Sequence, residues 1–214
     1  MGSRGAGSSN AGPKGGGNGG NDIISTSSLI SQRERYQAEV DRVLEVMRDV
    51  EREYGAIVED LKIAEMKKGS LTLAYYDGAG NVRVNSRVFN NALGADTVYD
   101  DNVRSGYHPS RGDKTGLQAI VAHEMGHRLN YIAGGSKWEN LDKTATNIVQ
   151  RRAQNAGYGR QTAKFRARIS GYGKVNNAEA VAEAFSDVYC NGNRASAESK
   201  TIVTELNRYF RRNS

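Results

Sequence analysis

Two histidines and a glutamate within one predicted helix constrain this chain more than any other part of its sequence. His123 and His127 are four residues apart, and Glu124 directly follows the first of them. In an α-helix, residues i and i+4 project from the same face, so both imidazoles can reach one ion. Zinc accepts two histidine ligands in this arrangement, and the glutamate then lies beside the metal-bound water as a candidate general base. The pattern therefore predicts a zinc site on this helix.

The helix that carries these residues is predicted over residues 113–133. Asp113 or Thr115 can cap its start, and the glycine pair that begins at Gly134 ends it. Five residues form its apolar stripe: Leu117, Val121, Met125, Leu129 and Ile132. The two histidines project away from this stripe, whereas a histidine that only filled the core would be expected on it. Their placement favours metal ligands over core residues.

A catalytic zinc site needs a third protein ligand and an open position for water. Tyr131 stands where a third histidine would follow in one class of zinc peptidases, and His108 lies upstream in a predicted loop. Glu179 and Glu183 remain, four residues apart on a helix predicted over residues 177–191. Two carboxylates on one face of a largely apolar helix are costly to bury without a cation, so both are candidate ligands. The alternative is an exposed acidic face.

The N-terminal half predicts a small sheet that follows a long helix. Residues 1–21 are mostly glycine, serine and asparagine and are expected to be disordered. Residues 22–214 are expected to form one domain, which begins with an amphipathic helix over 31–54 capped by Ser31. Three short strands separated by glycine-containing turns are expected within residues 61–90 as an antiparallel meander.

The remainder of the chain predicts a helical C-terminal half. Residues 90–112 contain few apolar residues and many turn formers, which indicates a long surface loop. Further helices are predicted over residues 139–156, 162–169, 177–191 and 196–211. Together these elements predict an α+β fold in which a small antiparallel sheet packs on the histidine helix.

Composition limits the classes of partner. Lys and Arg number 30 against 24 Asp and Glu, a balance that favours acidic partners. Residues 151–168 contain six basic and no acidic residues, which indicates a solvated basic face, with a nucleic-acid patch as the alternative.

Cys190 is the single cysteine and excludes an internal disulfide framework. No apolar segment predicts a membrane span or a signal peptide, so a cytoplasmic or virion-associated protein is expected.

Two motifs resemble those of the gluzincin zinc metallopeptidases, in particular the catalytic domain of anthrax lethal factor. The first runs from His123 to His127, and the second runs from Ser170 to Phe185. They occur in the family's order, with a somewhat longer spacing, and the resemblance covers roughly residues 121–209. It implies a zincin-like metallopeptidase fold for this chain.

The resemblance also implies a role for each residue of the site. The zinc ligands would be His123, His127 and Glu179. Glu124 would be the general base. Tyr172, seven positions before Glu179, matches a tyrosine that reaches toward the metal and would donate a hydrogen bond to the developing oxyanion. Glu183 would orient a ligand histidine without binding the metal itself.

The expected reaction is hydrolysis of a peptide bond in a protein or peptide substrate, and two other functions stay open. An extended substrate is expected to add to the sheet edge at the strand around residues 82–84. One alternative is a phage structural or accessory protein that keeps the fold without turnover, since Met1 to Ala6 resemble the start of small phage-encoded proteins. The other is nucleic-acid binding through residues 151–168.

Arg128 departs from the family pattern, because that position is usually uncharged.

Overall fold

The computed structural model describes residues 23–24, 26–55, 60–66, 72–78, 80–89 and 92–211. The predicted disordered tail over residues 1–21 lies outside the described residues. The strands are β1 (Ile23–Ile24), β2 (Asp60–Ala64), β3 (Ala74–Tyr76) and β4 (Asn81–Asn85). The helices are α1 (Thr26–Tyr54), α2 (Ser86–Phe89), α3 (Ala92–Arg104), α4 (Gly116–Ala133), α5 (Trp138–Asn155), α6 (Thr162–Arg166), α7 (Asn177–Asn191) and α8 (Ala197–Arg211). The chain is α+β and mostly helical, in agreement with the predicted fold class.

Helix α4 lies at the centre of the fold because it has almost no face that prefers water. Every residue from Gly116 to His127 is buried. A helix that is apolar around most of its circumference must pack on several sides. Accordingly, α4 contacts α1, α3, α5, α7 and α8, and the sheet strands β3 and β4.

The helix that carries the glutamates has both of its predicted ends. The helix that carries the histidines ends where predicted but begins at Gly116, three residues after the predicted start at residue 113. The Thr115 hydroxyl accepts a hydrogen bond from the Gln118 N–H, and the Gln118 side chain accepts one from the Thr115 N–H. This capping box selects Thr115 rather than Asp113 as the N-cap of α4. Helix α4 ends directly before Gly134, and α7 spans the predicted range of residues 177–191.

Helix α1 begins earlier than predicted, at Thr26 rather than at residue 31. Ser31 therefore lies inside the helix, and the capping-box pattern at this residue does not mark the helix start. Serine lowers helix propensity only moderately, so the same pattern is compatible with a helix interior. Over residues 37–54 of α1 the fully buried residues recur at helical spacing and are Val40, Val43, Val46 and Val50.

The sheet is mixed, and the predicted antiparallel meander is wrong. The strand order is β1-β2-β4-β3. Strands β2 and β4 are parallel, with Leu61 opposite Val82, whereas β3 and β4 form an antiparallel hairpin with Tyr75 opposite Arg83. Val82 and Val84 are fully buried, as expected for a strand with neighbours on both sides. Strand-forming patterns identify the strands, but they do not specify which neighbour each strand pairs with.

The long loop predicted over residues 90–112 is interrupted by helix α3. Over residues 94–104 of α3 the buried residues are Ala95, Tyr99 and Asn102, which lie on one helical face. Only one of these is a large apolar residue, so the helical periodicity of apolar residues is weak in the sequence. The irregular segment that remains runs from residue 105 to residue 115.

Part of the positive charge in residues 151–168 is neutralised within the fold. Arg151 and Arg152 both form ion pairs with Glu205 of α8, and Arg208 forms a third. Glu205 is buried, so these arginines contribute to the packing of α5 against α8. Nucleic-acid binding by this segment stays a prediction.

The helices of the described residues include none that is both long and apolar enough to cross a membrane.

Helices α4 and α7 are in tight contact at Gly126. A Cβ atom at this position would lie 2.7 Å from the Ala182 Cα and 3.1 Å from the Phe185 Cβ. These distances are shorter than a normal van der Waals contact between carbon atoms, so only glycine fits. Because His127 and Glu179 lie on the same two helices, this contact also sets the separation between them.

We expect Gly126→Ala to lower the free energy of unfolding by about 1–2 kcal/mol. Overpacking costs about 1–3 kcal/mol, and a clash with a backbone atom, which cannot rotate aside, belongs in the upper part of this range, at about 2–3 kcal/mol. The higher helix propensity of alanine offsets about 1 kcal/mol of this cost. Urea denaturation followed by circular dichroism measures the change. Gln150→Ala, at an exposed position of α5, is the control and should stay within about 0.5 kcal/mol of wild type. A Gly126→Ala protein as stable as wild type would show that α4 and α7 separate freely.

Cys190 should be unreactive in the folded protein. It is buried in α7, and burial raises the pKa of its thiol to about 12. At pH 8 only about one thiol in ten thousand is then ionised, so we expect Ellman's reagent to react about a thousandfold more slowly than with urea-unfolded protein. Similar rates in the two states would mean that α7 opens readily.

Candidate metal centre

The two histidines of α4 are buried side by side. They lie in the middle of the helix and one turn apart, so the helix backbone fixes the directions of both side chains. The Nε2 atoms of His123 and His127 are 3.2 Å apart. Both ring nitrogens therefore converge on the same point.

Helix α7 brings two carboxylates to these histidines. The Asn176 side chain caps the helix by accepting a hydrogen bond from the Glu179 N–H at 2.8 Å. Glu179 and Glu183 follow one turn apart, and each is only 1% exposed. The alternative of an exposed acidic face is therefore wrong.

Three potential ligand atoms meet between the two helices. Glu179 Oε2 lies 3.2 Å from His123 Nε2 and 3.3 Å from His127 Nε2. With the 3.2 Å between the two nitrogens, the atoms form a nearly equilateral triangle. His123, His127 and Glu179 are thus a buried group that could bind a metal ion.

The triangle has the dimensions of one face of a tetrahedral coordination sphere. Ligand bonds of about 2.0–2.1 Å at tetrahedral angles place the ligand atoms about 3.3–3.4 Å apart. The observed separations of 3.2–3.3 Å agree with this value. A tetrahedral ion bound to these three atoms would have its fourth coordination position opposite the triangle.

The charges of these groups also favour a cation at this point. Burial opposes ionisation of Glu179, but His127 and His123 hold the pKa of its carboxyl well below the usual value. Burial lowers the pKa of His123, but the carboxylates of Glu179 and Glu183 outweigh this effect and hold it well above the usual value. The buried Oε2 atom of Glu179 has no hydrogen-bond partner. A proton can bridge only two of the three atoms, whereas a metal ion satisfies all three.

Glu183 contacts His123 on the opposite side of the imidazole ring. Its Oε1 atom is 2.8 Å from His123 Nδ1 and 3.0 Å from His108 Nδ1, and its Oε2 atom accepts a hydrogen bond from the Ser170 hydroxyl at 2.7 Å. Burial opposes ionisation of Glu183, but His108 and then His123 lower the pKa of its carboxyl to about 2. An ionised carboxylate only accepts, so His123 donates from Nδ1, and Nε2 is the ring nitrogen that faces the cluster.

Glu124 is held next to the cluster by the sheet. Its Oε2 atom accepts a hydrogen bond of 2.8 Å from the Tyr76 N–H of strand β3, and its side chain is buried. Burial raises the pKa of the Glu124 carboxyl, and the nearby His123 and His127 only partly offset this effect. A carboxylate with a raised pKa accepts a proton more readily than one in water.

Tyr172 lies on the His123 ring. The two ring centroids are 5.6 Å apart with an angle of 24° between the planes, and Tyr172 is buried. Tyr107 stacks on Tyr172 in turn, with a centroid distance of 5.1 Å. The structure places Tyr172 beside a candidate ligand, and its role as a hydrogen-bond donor to substrate stays a prediction.

A cavity of about 30 Å³ opens beside Glu124 and Tyr172. Its apolar lining comes from the β3 side of the sheet and from α4, through Leu73, Ala74 and Ile120. Polar side chains that include His123 and Glu183 complete the lining, so the cavity is mixed in character and has room for one small group.

The strand at the site is β3, and the sequence-based choice of residues 82–84 as the free sheet edge is wrong. These residues belong to β4, which pairs with β2 on one side and with β3 on the other. Its backbone is therefore already engaged by two neighbours. Among the described strands, β3 forms the edge that contacts α4.

Three residues of the site were not predicted from the sequence. His108 is one of only three histidines in the chain, and the small number of histidines is the sequence feature that could have indicated a role for it in the site. Ser170 opens the segment that resembles the gluzincin motif, but its contact with Glu183 depends on the fold. Tyr76 acts through its backbone N–H, which no side-chain pattern reveals.

No protein-family model, curated protein or solved structure matches this chain. Its function is therefore inferred from the geometry of the site.

We expect the protein to bind one divalent ion per chain. Titration with Co²⁺ should give the visible absorption of a tetrahedral site, and Co²⁺ at 100 times its Kd should stabilise the fold by about 2.7 kcal/mol. Glu179→Gln removes a ligand charge and should weaken Co²⁺ binding more than about tenfold. The control is Glu139→Gln, at an exposed position of α5, which should bind as wild type does. Unchanged binding by Glu179→Gln would exclude Glu179 as a ligand.

Proposed function

We propose that this protein is a zinc-dependent endopeptidase of the gluzincin type, with a zincin-like fold. The observation that carries the proposal is the buried triangle of two histidine nitrogens and one carboxylate oxygen. Glu124 lies next to this triangle and does not form part of it. The resemblance of both sequence motifs to the gluzincins supports the same conclusion.

Zinc is the ion that best suits this set of donors. Imidazole nitrogen and carboxylate oxygen are common zinc ligands, and the ligand spacing fits its tetrahedral geometry. Structural zinc sites use four protein ligands, whereas catalytic sites use three and keep one position open. The triangle of His123, His127 and Glu179 belongs to the second type.

The residues around the triangle have distinct roles in the proposed hydrolysis. Zinc bound there would acidify a water molecule and polarise the scissile carbonyl. Glu124 accepts the proton of the attacking water and passes it to the leaving amine. The Tyr76 N–H fixes the position of the Glu124 carboxylate during this transfer. Tyr172 donates a hydrogen bond to the oxygen on which negative charge develops.

Strand β3 offers an edge to which an extended peptide can add. The Asp77 N–H donates to the Asn81 carbonyl in β4, and backbone directions alternate along a strand. The backbone groups of Ala74 and Tyr76 therefore point away from β4, and the Tyr76 N–H already meets Glu124. A peptide paired with this edge passes Glu124 and directs a side chain toward the cavity beside Ala74. The small volume of the cavity, with Leu73, Ala74 and Ile120 in its wall, favours a small side chain.

We expect Glu124→Gln to lower the rate of peptide cleavage by about 10²–10⁴-fold, because it removes the proton acceptor. The variant should keep its zinc, since Glu124 is not part of the triangle. Casein and a peptide library serve as substrates, and zinc content is measured on the same samples.

The Glu139→Gln variant controls for a general effect of removing a carboxylate and should cleave at the wild-type rate. A zinc-loaded wild-type protein that cleaves no peptide would overturn the proposal and favour the catalytically silent alternative. A Glu124→Gln protein with wild-type activity would exclude Glu124 as the base.

A further inference from the structure

His108 lies outside α4 and still reaches the network behind the candidate metal centre. Its Nδ1 atom is 3.0 Å from Glu183 Oε1, the same oxygen that contacts His123 Nδ1 at 2.8 Å. The His108 side chain is only 9% exposed. One carboxylate oxygen thus joins the histidine of the loop to a histidine of the triangle.

The backbone of the loop that carries His108 is fixed at both ends. Helix α3 ends where Gly106 adopts a positive φ of 73°, and the Tyr107 N–H returns to the Asn102 carbonyl at 2.8 Å. The loop then pairs with the segment before α7. The N–H groups of Gly171 and Tyr172 donate to the carbonyls of Gly106 and Tyr107, both at 2.8 Å. A Cβ on Gly171 would lie 3.0 Å from the Gly106 oxygen, so the two segments are in direct contact.

The His108 ring is held by its neighbours. It stacks on Tyr99 of α3 with a centroid distance of 5.3 Å and an angle of 7°, and it meets Tyr172 edge to face at 5.5 Å. Pro109 follows directly and is buried, which restricts the His108 backbone to extended conformations. These contacts hold the His108 ring in the orientation in which Nδ1 faces Glu183.

The hydrogen bonds to Glu183 specify the tautomers of two histidines. An ionised carboxylate has about four acceptor sites and no donor. It receives Ser170 on one oxygen and two imidazole nitrogens on the other. Both His108 and His123 must therefore carry a proton on Nδ1. Loss of one donor would leave a buried anionic oxygen undersatisfied, and the carboxylate would turn to compensate.

We propose that His108 is a positioning residue of the metal centre, whose Nδ1–H holds the Glu183 carboxylate where it orients His123. This inference rests on the proposed metal site but not on contact between His108 and the ion. The Nδ1 atom of His108 is engaged with Glu183, and the group of converging ligand atoms consists of His123, His127 and Glu179.

Two substitutions separate the hydrogen bond from the packing of the ring. His108→Phe keeps a ring on Tyr99 but removes the donor, and we expect Co²⁺ affinity to fall about 10–100-fold. His108→Asn places an amide nitrogen near the position of Nδ1, so it should recover most of the lost affinity. Chelator-competition titration gives the affinities, and the visible spectrum of Co²⁺ reports a change in ligand geometry.

The outcomes distinguish this inference from the metal site itself. A wild-type protein that binds no Co²⁺ would overturn both. If wild type binds Co²⁺ and His108→Phe binds it equally well, the positioning role is wrong and the metal site stands. A His108→Asn protein as weak as His108→Phe would also contradict the role, because the donor would then not matter.

A measurement on the wild-type protein needs no substitution. Long-range ¹H–¹⁵N correlation of the histidine rings in the Zn²⁺-loaded protein shows which nitrogen carries each proton. We expect His108 and His123 to be protonated on Nδ1. A neutral His108 with its proton on Nε2 could not donate to Glu183 and would overturn the inference, and this result decides the question if His108→Phe does not fold.

Discussion

The close approach of α4 and α7 at Gly126 is the constraint on which the site depends. With no side chain at this position, the backbones come near enough for the glutamates of α7 to reach the histidines of α4. Neither set of side chains is stable alone in a dry interior, because an isolated buried charge is costly. Packing and electrostatics therefore support each other: the helices can bury these groups only together, and the groups are satisfied only when the helices meet.

Two side chains of the site are held by elements other than their own. Glu124 of α4 is fixed by the backbone of β3, and His123 of α4 is fixed by Glu183 of α7. Glu183 is fixed by Ser170 and by His108, which come from the segments before α7 and after α3. These hydrogen bonds between elements restrict the side chains to one arrangement before any ligand binds. Preorganisation of this kind is what a site must provide if it is to stabilise a transition state rather than merely bind.

Local signals account for the parts of the fold and site that the sequence predicts well. The capping residue Thr115, the glycine after α4 and the i, i+4 pairs of histidines and glutamates each act within one or two helical turns, so they can be read directly. The parallel pairing of β2 with β4 depends instead on contacts between segments about twenty residues apart. The apolar residues of helix α3 do not recur regularly enough to predict a helix from the sequence. The contact of His108 with Glu183 joins positions that are 75 residues apart. Contacts between distant segments produce no periodic pattern in the amino-acid sequence, so the sequence alone does not predict them.

The histidine pair and the third member of the triangle lie about fifty residues apart in the chain. At a synthesis rate of about 5–20 residues per second, His123 and His127 exist for about 3–10 s before Glu179 is added. Two histidines at this spacing on a helix can chelate an ion through two nitrogens, and such a chelate prefers Cu²⁺ or Ni²⁺ to Zn²⁺. The docking of α7 adds a carboxylate oxygen and imposes tetrahedral spacing, which disfavours ions that prefer a square plane. An ion that binds at the proposed centre would thus be selected by the folding of α7 against α4 rather than by the histidines themselves.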